Sequence, residues 1–199
     1  MSDDALDLKG NWAYPTTVRF GVGRIAELAK VCERVGIARP LIVTDPGLAE
    51  LAMIKTALAD LIAAGLEAAI FSDVRPNPVS ANVEDGVRAF RYGSHDGVIA
   101  WGGGSALDAG KAIALMAGQS VSIWEFTERG GASTQSGAGV IAPVVAVPTT
   151  AGTGSEVGRA AVIADEETRT KRVVFHAAMM PKAVIADPAL TVGLPAHIT

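Results

Sequence analysis

Apolar and polar positions alternate along the chain in blocks with two different periods. Short runs of β-branched and aliphatic residues (17–20, 41–44, 68–74, 98–101, 144–147 and 183–186) read as strands. Between them, apolar residues recur every three or four positions. Ile25, Leu28, Cys32 and Val35 form one such stripe, a second segment runs from Asp45-Pro46 to Gly65, and Val79, Val83, Val87 and Phe90 form a third. Gly36 stands where the first helix should close. Strand and helix in alternation predict βαβ units, a parallel sheet and helices on both of its faces. The run 98–101 is apolar throughout and bounded by glycines, which suits a strand covered on both sides. Residues 160–164 and 171–175, joined by a polar turn, predict a hairpin. The 130–139 stretch reads as a flexible polar loop, and no internal repeat or low-complexity segment is present.

Two of the strands end in glycine-rich turns. After 98–101 come Gly102, Gly103, Gly104 and then Ser105, where a helix is expected to start, with Ser105 and Asp108 in the spacing of a capping box. Adjacent glycines let an anion approach the backbone closely, and the amide end of the following helix favours a phosphate there. Two well-known phosphate loops fail on these residues. A G-x-G-x-x-G pattern from Gly102 meets Leu107, and a P-loop is excluded by five residues between Gly104 and Gly110 and by Ala112 after Lys111. A second turn, Pro148-Thr149-Thr150-Ala151-Gly152-Thr153-Gly154-Ser155, follows 144–147 and offers hydroxyls and glycine backbone for a phosphate or ribose. Either turn alone could be a plain strand exit; two in one parallel sheet point to a nucleotide. Asp45, at the end of the 41–44 strand, is read two ways: a helix cap before Pro46, or a cap that also accepts hydrogen bonds from ribose hydroxyls. It precedes the glycine turn, whereas a Rossmann unit places its acidic residue about twenty positions after it, so the strand order must differ.

Composition narrows the partners. The 199 residues carry a net charge of −4, 49% hydrophobic and 19% charged positions, and 22 glycines. That is globular α/β composition with no basic field for nucleic acid. The single Cys32 excludes an internal disulfide and reads as a core residue in a reducing cytoplasm. Asp3, Asp4 and Asp7 are unlike a signal peptide, and no apolar run is long enough for a membrane.

Several long motifs, in order, resemble the iron-containing (group III) alcohol dehydrogenase family: VTDPGL at 43–48, the Arg75-Pro76-Asn77-Pro78 turn, GGGSALDAGK at 102–111, PTTAGTGSEVGRAAVIADEETRTKRVVF at 148–175 and DPALTVGLP at 187–195. The resemblance implies a Rossmann-like, dehydroquinate-synthase-like amino-terminal domain over residues 1–199. It implies that Gly103, Gly104 and Ser105 hold the pyrophosphate of NAD or NADP, that Thr149, Thr150 and Thr153 line the cofactor, that Lys171 reaches its ribose, and that Asp45 favours NAD. The implied activity is hydride exchange between a small alcohol or aldehyde and nicotinamide, with Fe2+ or Zn2+ in the intact enzyme. The family's metal ligands, one aspartate and three histidines, belong to a helical carboxyl-terminal domain. None of the family's ligand motifs appears before Thr199, and His95, His176 and His197 show no ligand spacing and are expected at the surface or in loops. The chain is therefore expected to be the cofactor-binding part, inactive alone, lacking the helical domain, and able to self-associate into a homo-oligomer. A maleylacetate reductase, glycerol dehydrogenase or dehydroquinate synthase is the alternative enzyme, and a dinucleotide-binding module without turnover the alternative outside catalysis.

Overall fold

The computed structural model describes residues 9–13, 16–127 and 139–194. Among the described residues, nine strands form two sheets: β1 (Lys9–Ala13), β2 (Thr17–Gly21), β3 (Pro40–Val43), β4 (Ala69–Phe71), β5 (Gly97–Gly102), β6 (Val144–Pro148), β7 (Ala160–Asp165), β8 (Thr170–Phe175) and β9 (Ala183–Ala186). The main sheet has the order β1-β2-β9-β6-β5-β3-β4. All of its neighbours are parallel except β1, which lies antiparallel on the β2 edge. Strands β7 and β8 form the expected hairpin as a separate antiparallel pair.

The α-helices are α1 (Leu28–Arg34), α2 (Pro46–Ala49), α3 (Ala52–Ala63), α4 (Ser80–Tyr92) and α5 (Gly104–Met116). Alternate strand residues serve two cores. Leu41, Val43, Val98, Ala100, Val144, Ala146 and Val184 join Val83, Val87 and Phe90 of α4 and the apolar residues of α5. Ile42, Ile99, Trp101, Val145, Val147 and Ile185 join α1 and α3 on the opposite face. A sheet buried on both faces needs apolar residues at successive positions, which explains the unbroken runs in the sequence. Cys32 is one of these core residues and is fully buried.

Helix α5 lies between β5, α4 and the hairpin, and everything from Ala109 to Met116 is buried. Its small residues permit the close approach: a Cβ on Gly110 would stand 2.6 Å from Ala100 Cβ.

Several expected boundaries differ. The stretch from Asp45 to Gly65 is two helices, because Leu51 is extended (φ −74, ψ 147) and α3 restarts the apolar stripe at Ile54, Ala57 and Leu61. Strand β4 stops at Phe71 rather than continuing through the expected 68–74: among the described residues it pairs only with β3, which ends at Val43. Helix α4 begins at Ser80 rather than near Asn77, with Asn82 Oδ1 accepting from the Val79 amide. Strand β1 was not anticipated at all. The expected 130–139 loop lies, apart from Gly139, outside the described residues.

The order of strands places a crevice between β3 and β5. The chain leaves β3 outward toward β4, and leaves β5 in the opposite direction toward β6, so the exits after β3 and β5 diverge. Ligands of parallel sheets collect at such a point, outside the carboxyl ends of the strands.

Candidate cofactor site

The exits of β3, β4, β5 and β6 surround one cleft of about 660 Å3. Asp45 enters from β3, Arg75 and Pro76 from β4, Gly103, Gly104 and Ser105 from β5, and Thr149 and Thr150 from β6. Six of the eight residues singled out in the sequence thus line the same space.

Gly102 turns the chain out of β5 with φ +143, a conformation that L side chains rarely adopt. A Cβ there would also stand 2.8 Å from Ala106 Cβ, so the position demands glycine. Gly103 precedes α5 and supplies no side-chain cap. The first-turn amides of α5 therefore have neither an intrahelical nor an N-cap side-chain acceptor, and they carry the positive end of a thirteen-residue helix.

The expected Ser105–Asp108 capping box is not formed. Ser105 Oγ accepts from the Asn77 amide at 3.2 Å, and Asp108 turns away to accept from the Val162 amide (2.9 Å) and the Ser155 hydroxyl (2.5 Å). The helix starts one residue early, at Gly104, which removes Ser105 from the cap position.

The second glycine turn is tied to the first. The Thr149 amide donates to the Gly102 carbonyl at 3.0 Å, and Thr149 is buried. A Cβ on Gly103 would lie 3.3 Å from Thr150 Oγ1, and one on Gly104 3.4 Å from Thr153 Cγ2. Thr153 accordingly faces Gly104 across the gap, and its hydroxyl accepts from the Ser155 amide and donates to Glu156. Lys171 lies apart, in a neighbouring hollow of about 270 Å3 that shares Gly104 and Ser105 with the main cleft and includes Asn77, Asp108 and Val162.

Asp45 caps α2: its Oδ1 accepts from the Leu48 amide at 2.9 Å, with Pro46 at the first helical position. The second carboxylate oxygen, Oδ2, lies 3.6 Å from where a Cβ on Gly102 would stand, so the carboxylate borders the first glycine turn.

Sequence reasoning missed the ion pair that joins these parts. Lys111 is 1% exposed. Its Nζ donates to the carbonyls of Ser155 (2.9 Å), Gly158 (3.4 Å) and Ala160, and lies 3.2 Å from Asp108. Burial pushes its pKa below the ordinary lysine value, and the nearby Asp108 carboxylate acts in the opposite direction. The available signal was a lysine three residues after Asp108 in a helix otherwise rich in small and apolar residues. Arg75 was also not singled out as a site residue, although the turn after β4 sits on the ligand edge.

The described histidines serve local structure. His95 is half-buried with Nδ1 3.0 Å from the Arg39 carbonyl, and its burial lowers its pKa. His176 Nδ1 accepts from the Ala178 amide and begins a short 3-10 turn. His197 lies outside the described residues. Among the described residues no three His, Cys, Asp or Glu side chains come together as metal ligands, and no helix is long and apolar enough to cross a membrane.

The chain is 37% identical over 187 residues to 4-hydroxybutyrate dehydrogenase of Cupriavidus necator, covering 94% of this chain and 48% of that protein. Among solved structures, 1,3-propanediol oxidoreductase superposes with a TM-score of 0.85 at 35% identity, covering 96% of this chain and 49% of the other. Sulfoacetaldehyde reductase from Bifidobacterium kashiwanohense, solved in complex with NAD+, superposes with a TM-score of 0.82 at 32% identity, covering 94% and 48%. The chain spans about half the length of each of these relatives. The family profile described as iron-containing alcohol dehydrogenase matches residues 15–188, and the chain belongs to that family.

Proposed function

We propose that this chain is the cofactor-binding part of an NAD-dependent alcohol dehydrogenase acting on a small alcohol or aldehyde in the cytoplasm. The observation that carries the reading is the convergence of two glycine turns, an uncapped helix end and a rim carboxylate on one cleft. The reading is supported by the lack of side chains at Gly103 and Gly104, which leaves the backbone at the start of α5 open to close approach from the cleft.

In this reading the amides of Gly104, Ser105 and Ala106 hold the pyrophosphate, with Gly103 leaving room for its oxygens. Thr149, Thr150 and Thr153 border the remainder of the dinucleotide, and Lys171 reaches a ribose hydroxyl over the Ser105 rim. Asp45 keeps one oxygen on the Leu48 amide and presents the other to the adenosine ribose, where it accepts from the hydroxyls and repels a 2′-phosphate. Nicotinamide supplies the hydride acceptor. The relatives' names, for 4-hydroxybutyrate, 1,3-propanediol and sulfoacetaldehyde, support a short hydroxy or aldehyde substrate. No described residue set fits the Fe2+ or Zn2+ of the family; in this reading residues 1–199 alone bind cofactor without turnover.

The test is a calorimetric titration of residues 1–199 with ADP-ribose, NAD and NADP. One site for ADP-ribose and NAD, with weaker NADP, is expected; absence of ADP-ribose binding by the folded chain overturns the assignment.

A further inference from the structure

We infer that Lys111 and Asp108 form an internal latch that positions the second glycine turn for the dinucleotide from outside the main cleft. The inference rests on the cofactor reading above and adds two positioning residues to it.

Lysine side chains are rarely buried, and when they are, they are paired. Lys111 has no solvent-facing role, since it is 1% exposed, and it lines neither the main cleft nor the hollow beside it. All three of its N–H donors have carbonyl acceptors, on Ser155, Gly158 and Ala160. Those carbonyls bracket the segment that joins the second glycine turn to the start of β7. One turn earlier on α5, Asp108 receives the Ser155 hydroxyl and the Val162 amide from the same segment. A single helix face therefore grips five points between residues 155 and 162.

The segment's other ties are local or lie at its far end: Thr153 Oγ1 with the Ser155 amide and Glu156, the Arg159 carbonyl with the His176 amide, and the pairing of Ala160 with Phe175. Gly152 and Gly154 both take positive φ (+93 and +68), Ser155–Val157 is a lone 3-10 turn with no buried residue, and Ala151 to Gly154 are exposed. Upstream, Thr149 is already fixed by the Gly102 carbonyl. Thr150 and Thr153 face Gly103 and Gly104 only while the turn is held at both ends, and α5 carries both the first glycine turn and the latch. The spacing of the two turns is thus set by one rigid helix.

The consequence separates ligands. AMP needs Asp45 and the first turn, whereas NAD also needs the second. Releasing the latch lowers the fraction of molecules whose second turn is in place, and apparent affinity falls by that fraction. Lys111→Met should weaken NAD at least about tenfold, if the held turn drops to about a tenth of the population, and leave AMP within about twofold. Ser155→Ala, which cuts one tie outside the cleft, should weaken NAD by about threefold on the same reasoning. The experiment is a pair of titrations, NAD and AMP, on wild type and both variants of residues 1–199. Wild type that binds neither ligand refutes the cofactor reading itself. Wild type that binds both, with variants that lose NAD and AMP equally or lose neither, refutes the latch. If Lys111→Met does not fold, Ser155→Ala decides: an unchanged NAD-to-AMP affinity ratio overturns the inference.

Discussion

Replacing Gly104 with alanine should separate binding from folding. The residue is the first of α5, its φ is in the ordinary negative range, and a Cβ would meet Thr153 Cγ2 at 3.4 Å, an ordinary contact. Alanine for glycine in a helix gains up to about 1 kcal/mol, so the melting temperature should hold or rise slightly. The new methyl nevertheless points across the gap between the two glycine turns. A phosphate pushed outward by it loses at least one charge-assisted hydrogen bond from the helix amides, about 1.5–3 kcal/mol. Affinity for ADP-ribose should therefore fall roughly 10- to 150-fold. Calorimetric titration beside a thermal melt reads both quantities on one sample. Unchanged affinity with unchanged stability would refute the placement of the pyrophosphate at this turn.

Other outcomes follow from single residues. Asp45→Asn keeps a capping oxygen for the Leu48 amide but removes the charge, so the preference for NAD over NADP should shrink by about 1 kcal/mol, roughly fivefold, with little change in melting; an unchanged ratio in paired titrations would leave Asp45 as a cap only. Burial alone would raise the Glu27 pKa, but hydrogen bonds from Arg24 and Arg19 hold it below its ordinary 4.5. A depressed carboxylate contributes stability above its unfolded pKa, and that contribution is lost as pH falls through the folded value. Melting temperatures of wild type should thus drop below pH 4.5 more steeply than those of Glu27→Gln, and parallel curves would contradict the pairing. Burial pushes the Cys32 thiol up to about 12, so an aromatic disulfide reagent should react only after denaturation; rapid labelling of the native chain would show the α1 core to be open.

Most of the site was legible because its chemistry is local. A glycine turn after a buried strand can be read from adjacent residues, as at Gly102 to Gly104 and at Gly152 to Gly154. The double-sided core was legible for the same reason: Leu41, Ile42 and Val43 are consecutive apolar residues, and only a sheet covered on both faces uses all three. What escaped depends on partners distant in sequence. Asp108 looked like a cap because Ser105 stood three residues before it, yet its partners lie at Ser155 and Val162. Lys111 and Asp108, three apart, look like a surface ion pair until the hairpin folds over them. Lys171 falls in the adjoining hollow rather than the main cleft because β8 returns beside Asn77 and Asp108, a placement that no local spacing encodes. The break at Leu51 was hidden because apolar residues continue on both sides of it.

The central claim is that the carboxyl-edge cleft between the two glycine turns holds the dinucleotide. It is tested most directly by amide chemical-shift mapping of isotopically labelled residues 1–199 titrated with ADP-ribose. The account predicts saturable shifts concentrated at residues 103–106 and 149–154, with Leu48 following as Asp45 engages the ribose. No saturable shift, or shifts centred elsewhere on the chain while these amides stay fixed, would contradict it.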